Sequence, residues 1–208
     1  MMVDAVFCPS RYLAQTMTRR SVAIKAYREG APALSASLVG GLIAGVVLGG
    51  MRSDLQAVEG LLVLVPALLA TRGNVYGSLG ARIATALHQG LLEPRVSEAD
   101  DRLLRAVAAS VANGLLASVF AAVVATFALV VLGRPGAGLA TFAAIAVVAG
   151  LLSGVALATT VVLVVFAGYR RGYNPDTLVG PIVTTAGDVF GMAALLLAVR
   201  TVAVIGGS

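Results

Sequence analysis

Long apolar runs separated by short polar segments dominate this chain. Five of them, at 33–50, 61–89, 106–132, 139–167 and 178–204, are long enough to cross a hydrocarbon core about 30 Å thick, which takes about 20 helical residues. The pattern predicts an all-α, polytopic membrane protein with five transmembrane helices. The second run is the least regular. Thr71-Arg72-Gly73-Asn74 follows ten mostly apolar positions, and Arg82 and His88 lie on the far half, so the expectation is a helix interrupted near Gly73. Irregular backbone at membrane depth is tolerated where it is buried in protein or lines a wet cavity, and broken helices build ion sites in transporters.

The polar segments supply punctuation. Residues 16–29 are polar and basic and predict a helix lying on the membrane surface, with Pro32 starting the first span. The expected division is therefore a cytoplasmic N-terminal segment, 1–31, followed by a transmembrane domain, 32–208. Ser97-Glu98-Ala99-Asp100 resembles a capping box at the head of the third span, and Arg134-Pro135-Gly136 reads as a tight turn. Glycines recur at the four-residue spacing that lets helices approach in lipid: Gly41, Gly45 and Gly49, then Gly150 and Gly154, then Gly187 and Gly191.

Composition agrees with this pattern. The 208 residues are 59% hydrophobic and 12% charged, with a mean hydropathy of +0.95. A soluble domain averages roughly 45–50% apolar and 25% charged. The net charge of +5 lies mostly between the apolar runs, so it reads as a topology signal and not as a nucleic-acid surface. Arg11, Arg19, Arg20, Lys25, Arg28, Arg95, Arg102, Arg105, Arg170 and Arg171 fall on one side of the predicted bundle, against Arg52, Arg134 and Arg200 on the other. The positive-inside rule then places the N-terminus in the cytoplasm and the C-terminus outside, in a multi-pass protein of the cell membrane. The single cysteine, Cys8, offers neither an internal disulfide nor a soft-metal cluster. Serines without a paired His and Asp give no support to an enzyme.

Candidate chemistry concentrates in NPDTLVGPIVTTAGDVFG, residues 174–191. From a helix start near Leu178, ten residues carry Asp188 about 15 Å into the bilayer, near its midplane. An acid at that depth must be paired, neutral or occupied by a cation. A salt bridge to Arg72 or Arg82 is one outcome, but intramembrane acids mark ion paths more often. Thr184 and Thr185 bring oxygens to the same side one turn earlier, and Gly191 lets an ion or a partner helix approach the backbone. One carboxylate with carbonyls, hydroxyls and retained waters suits a hard cation such as Mg²⁺, and two copies on a twofold axis would supply two charges. Asn74 is the next candidate, as a ligand or as a partner for broken backbone bonds. Asp176 reads as a helix start that also concentrates cations at the mouth. His88 is expected to be interfacial, Asn113 to join helices, and Glu93, Glu98, Asp100 and Asp101 to form a solvated loop.

PALLATRGNVYGSLGARIATALHQG, residues 66–90, together with the stretch at 174–191, resembles the membrane domain of the MgtE magnesium transporters and the related solute carrier 41 family. The resemblance runs from about Pro32. It implies a homodimer of five-helix subunits in the lipid bilayer, with a pore near the dimer axis passing Mg²⁺ down its gradient. Asp188 matches the pore aspartate of that family, Thr184 and Gly191 match neighbouring pore positions, and Asn74 matches the motif asparagine of the second helix. The cytoplasmic regulatory domains of bacterial members have no counterpart here, which implies a separate regulatory chain. Two other readings stand beside this one: a non-transporting membrane subunit whose glycine faces bind a partner chain, and a proton-coupled carrier for an organic solute.

Overall fold

A computed structural model of the chain describes residues 19–94, 101–172 and 175–206. Among these residues all regular structure is helical: α1 (Arg19–Gly50), α2 (Arg52–Ala57), α3 (Leu61–His88), α4 (Asp101–Val131), α5 (Leu139–Arg170) and α6 (Pro175–Gly206). Helices satisfy their own backbone polar groups, which lipid cannot do. Four apolar stretches are long enough to cross a membrane: Leu61–His88, Asp101–Val131, Leu139–Arg170 and Val179–Ile205. The apolar part of α1 is shorter, Leu34–Gly50.

Three expectations change. The predicted interruption of the second run is absent, because α3 is continuous through Thr71, Arg72, Gly73 and Asn74. A threonine or glycine costs a helix only about 0.5–1 kcal/mol relative to alanine. Breaking backbone bonds at membrane depth costs several kcal/mol per unsatisfied group. The helix therefore persists and the polar side chains adapt: the Thr71 hydroxyl donates to the Leu68 carbonyl at 3.0 Å, Arg72 turns into the protein, and Asn74 is exposed. Secondly, α1 runs unbroken across position 32, so the basic segment from Arg19 and the first apolar run form one helix. Thirdly, the six-residue α2 joins α1 to α3 where no element was expected. The proposed capping residues Ser97 to Asp100 lie outside the described residues. The chain turns just before the expected place: the turn is at Leu132–Gly133, where Gly133 adopts a left-handed φ of 62° and the Arg134 N–H donates to the Leu129 carbonyl at 2.9 Å, and Arg134-Pro135-Gly136 follow as irregular chain.

α6 packs against α5, α1 and α3, while α4 packs against α3 and α5. Among the described residues α1 packs on α6 and α2 and makes no substantial contact with α3, α4 or α5. At the α2 end of the bundle, the Arg200 guanidinium approaches the Asp54 carboxylate at 3.5 Å, and the Ala137 N–H donates to the Glu59 carbonyl at 2.9 Å. At the opposite end the Tyr169 hydroxyl donates to the Leu87 carbonyl at 3.3 Å, and its ring meets His88 edge to face with centroids 5.8 Å apart.

The buried side chains form two apolar clusters along the bundle axis. The one nearer α2 takes α3 as far as Leu68, α5 as far as Ala149 and α6 from Met192 onward. The other begins at Tyr76 on α3 and at Leu157 on α5, and reaches Val183 on α6. Between them lies a layer containing Arg72, Ser153 and Asp188.

Candidate cation site

Asp188 lies thirteen residues into α6, about 20 Å along the axis from Pro175. It is half-buried, and its carboxylate has no hydrogen bond or ion pair with any described residue. The salt bridges considered from sequence are not formed: Arg82 is exposed, and Arg72 is buried at another point of the α3–α6 seam.

Two contacts define the surroundings of this acid. On one side α1 crosses α6 so closely that a Cβ at Gly40 would collide with the Thr185 side chain. There the Ser37 and Thr185 hydroxyls are 3.0 Å apart, and the Thr185 hydroxyl also donates to the Pro181 carbonyl at 2.8 Å. On the other side α3 reaches Gly191, where an added Cβ would lie 2.6 Å from Arg72 Nη1 and 2.7 Å from Leu69 Cδ2. At about 100° per residue, positions 184 and 188 fall between these contacts around α6. They line a furrow whose walls are α1 and α3.

Thr184 is exposed in this furrow, one turn from Asp188, and its hydroxyl donates to the Gly180 carbonyl at 2.9 Å. Tying the proton to the helix leaves the oxygen lone pairs turned outward, the arrangement a cation or its bound water needs. Gly191 is buried; of the two roles foreseen for it, this structure shows the approach of a partner helix, with Leu69 and Arg72 seated against it. Asn74 is two positions from Arg72, about 200° around α3, and so faces away from the α6 contact. One chain does not bring it to Asp188. Asp176 lies in the first turn of α6, and its side chain is outside the described residues. Among the described residues no three His, Cys, Asp or Glu side chains come together. One chain thus offers a single carboxylate, hydroxyl oxygens and an open furrow, enough to hold a hydrated cation weakly and too little to strip its water.

The MgtE family model, described as a divalent cation transporter, matches residues 65–198. The chain belongs to the MgtE family. The match to MgtE takes in nearly all of α3 to α6 and every candidate residue, and leaves out α1. Among curated proteins, solute carrier family 41 member 3 of Rattus norvegicus is 25% identical over 167 residues, covering 76% of this chain and 35% of its own length. Solute carrier family 41 member 2 of Gallus gallus is 30% identical over 172 residues, covering 73% of this chain and 28% of its own length. The member 2 protein of Xenopus laevis is 31% identical over 147 residues, or 64% and 24% of the two lengths. The chain thus spans about a quarter to a third of these relatives. The resemblance to an MgtE and solute carrier 41 membrane domain is borne out.

Sequence reasoning gave Arg72 only a subsidiary place and passed over Tyr76 and Ser153. Arg72 is 4% exposed, yet its Nε and Nη2 have no hydrogen-bond partner. Its signal in the sequence is a charge within an apolar run, a pattern shared by a helix break and by a buried arginine in a continuous helix. Tyr76, 1% exposed, inserts its hydroxyl between α4 and α5, where Gly114 and Gly154 leave room for it. Nothing in the sequence pairs that tyrosine with those two glycines.

Proposed function

We propose that this chain is the membrane domain of a divalent-cation transporter, with Mg²⁺ as its cargo and Asp188 as the group that receives the ion. The observation that carries this is an unpaired carboxylate near the middle of α6, in a furrow open between α1 and α3, within a chain of the MgtE family. Leaving an acid unpaired at that depth costs about 2.5–3.5 kcal/mol on insertion scales, and a passing cation offsets it. In this reading α1 crosses the bilayer with the four helices whose apolar stretches are longer. Its 17 apolar residues, Leu34–Gly50, span about 26 Å, at the short end of what suffices. The basic segments keep the N-terminus in the cytoplasm.

Two chains related by a twofold axis complete the site. A second copy doubles the carboxylate charge and brings further oxygens, Asn74 and Asp176 among them, toward a shared path. Gly41, Gly45 and Gly49 support such pairing, since α1 carries them exposed with nothing packed over their Cα atoms. Thr184 supplies a hydroxyl oxygen to the hydrated ion. A membrane potential, negative inside, contributes about 2.3 kcal/mol per charge per 100 mV, and twice that for a divalent ion, so inward flux needs no nucleotide.

The test is Mg²⁺ flux into liposomes holding the purified chain at a set potential. Asp188→Asn should lower flux at least tenfold while the oligomer still elutes at the wild-type position. Undiminished flux would refute the assignment of Asp188.

A further inference from the structure

Within α3–α6, Arg72 is the one basic residue and Asp188 the one acid more than two turns from a helix end. Both lie in the polar layer between the two apolar clusters, on the helices that meet at Gly191. Nη1 of Arg72 rests against Gly191, and the other edge of the guanidinium, Nε with Nη2, is buried without a partner. That edge is the one that grips a carboxylate through two parallel hydrogen bonds. A buried charge with two vacant donors is costly unless the fold has a use for it. The acid nearest along α6 is Asp188, three residues before Gly191 and therefore a neighbour on the helix surface.

We infer that Arg72 is a tethered counter-cation that competes with the transported ion for Asp188. Rotation of the side chain out of the Gly191 notch closes a guanidinium–carboxylate pair across the α3–α6 seam. Its return to the notch frees the carboxylate for a divalent ion. The notch exists because position 191 has no Cβ. The device rests on the reading of Asp188 as the ion's receptor, and it adds a reason for the buried base: the acid is shielded between ions, and each arriving cation must displace a charge already there.

The experiment uses the full chain purified in detergent, with thermal unfolding followed in EDTA and across a Mg²⁺ titration. Arg72→Met removes the competitor and should lower the half-saturating Mg²⁺ concentration about tenfold. Gly191→Ala fills the notch, pushes the guanidinium toward Asp188 and should raise that concentration severalfold; adding Arg72→Met should cancel the effect. General damage to packing would weaken binding in both variants, so the opposite signs are diagnostic. In EDTA, Asp188→Asn should lower the unfolding midpoint more in the wild-type background than in Arg72→Met. An Arg72→Met chain that needs as much Mg²⁺ as wild type, or more, overturns the competition. Loss of the EDTA coupling overturns the pairing even in a chain that transports. A chain that keeps the coupling yet shows neither Mg²⁺ response nor flux overturns the transport reading instead.

Discussion

Tyr76 gives the most direct test of the packing. Its hydroxyl occupies a slot whose walls are the backbones of Gly114 on α4 and Gly154 on α5. An alanine methyl at position 154 would collide with Tyr76 Oη, while the next ring atom, Cζ, would be 3.5 Å away, an ordinary contact. On the α4 side the same oxygen lies close to Gly114, where an added Cβ would be 2.8 Å from it, so only the absent methyl of that glycine leaves it room. Overpacking of this kind costs about 1–3 kcal/mol. Gly→Ala in a helix returns about 0.5–1 kcal/mol. Midway through those ranges the net loss for Gly154→Ala is about 1 kcal/mol, which lowers the melting midpoint of a chain this long by roughly 2–4 °C. In a Tyr76→Phe background the colliding oxygen is gone, and Gly154→Ala should be neutral or slightly stabilising. Gly77→Ala, with nothing within 4 Å of the added methyl, serves as the matched control and should not destabilise. Thermal unfolding of the four chains of the cycle, in one detergent, measures the coupling. An equal cost of Gly154→Ala in both backgrounds would refute the slot.

Other outcomes follow from single contacts. Thr184→Val should reduce Mg²⁺ flux severalfold at low Mg²⁺ and leave the melting midpoint unchanged, because the side chain is exposed; Thr184→Ser should retain flux. Ser37→Ala removes the hydroxyl shared between α1 and α6 and should cost about 0.5–1.5 kcal/mol, read as earlier unfolding and faster labelling of cysteines introduced on α1. Arg200→Ala breaks the pair with Asp54, whose side chains are 60% and 16% exposed, and should cost less than about 1 kcal/mol, with most of the difference gone in 1 M salt.

The helices of the bundle were legible because apolar length is a strong signal, and α3, α4 and α5 begin or end within a few residues of the expected runs. The continuity of α3 was not legible. Thr71-Arg72-Gly73-Asn74 is polar in sequence, and a sequence does not show that Arg72 faces a glycine on another helix while Asn74 faces outward. α2 is too short for a period to register. At the candidate site, four-residue spacing places Thr184 and Asp188 one turn apart on one side of a helix, and α6 has them so, with Thr184 exposed and Asp188 half-buried. The spacing leaves two roles open for Gly191, and the structure shows one of them, the close approach of α3 through Arg72 and Leu69. Asn74 and Asp188 share a motif pattern but not a face of one chain, so any meeting between them belongs to the assembly.

The way α1 is held bears on how the protein is made. Its hydrogen-bonded contact with α6 joins Ser37 to Thr185, 148 positions later, and it has little else to lean on except α2. At about 5–20 residues per second, the ribosome needs roughly 7–30 s to cover that interval. During this time α1 lacks the helix it packs on, while α3, α4 and α5 arrive and pack on one another. The helix made early is thus locked in late, and the furrow around Asp188 forms only when α6 emerges between α1 and α3. A chain whose synthesis stops before α6 would leave α1 available to other helices, or to membrane quality control.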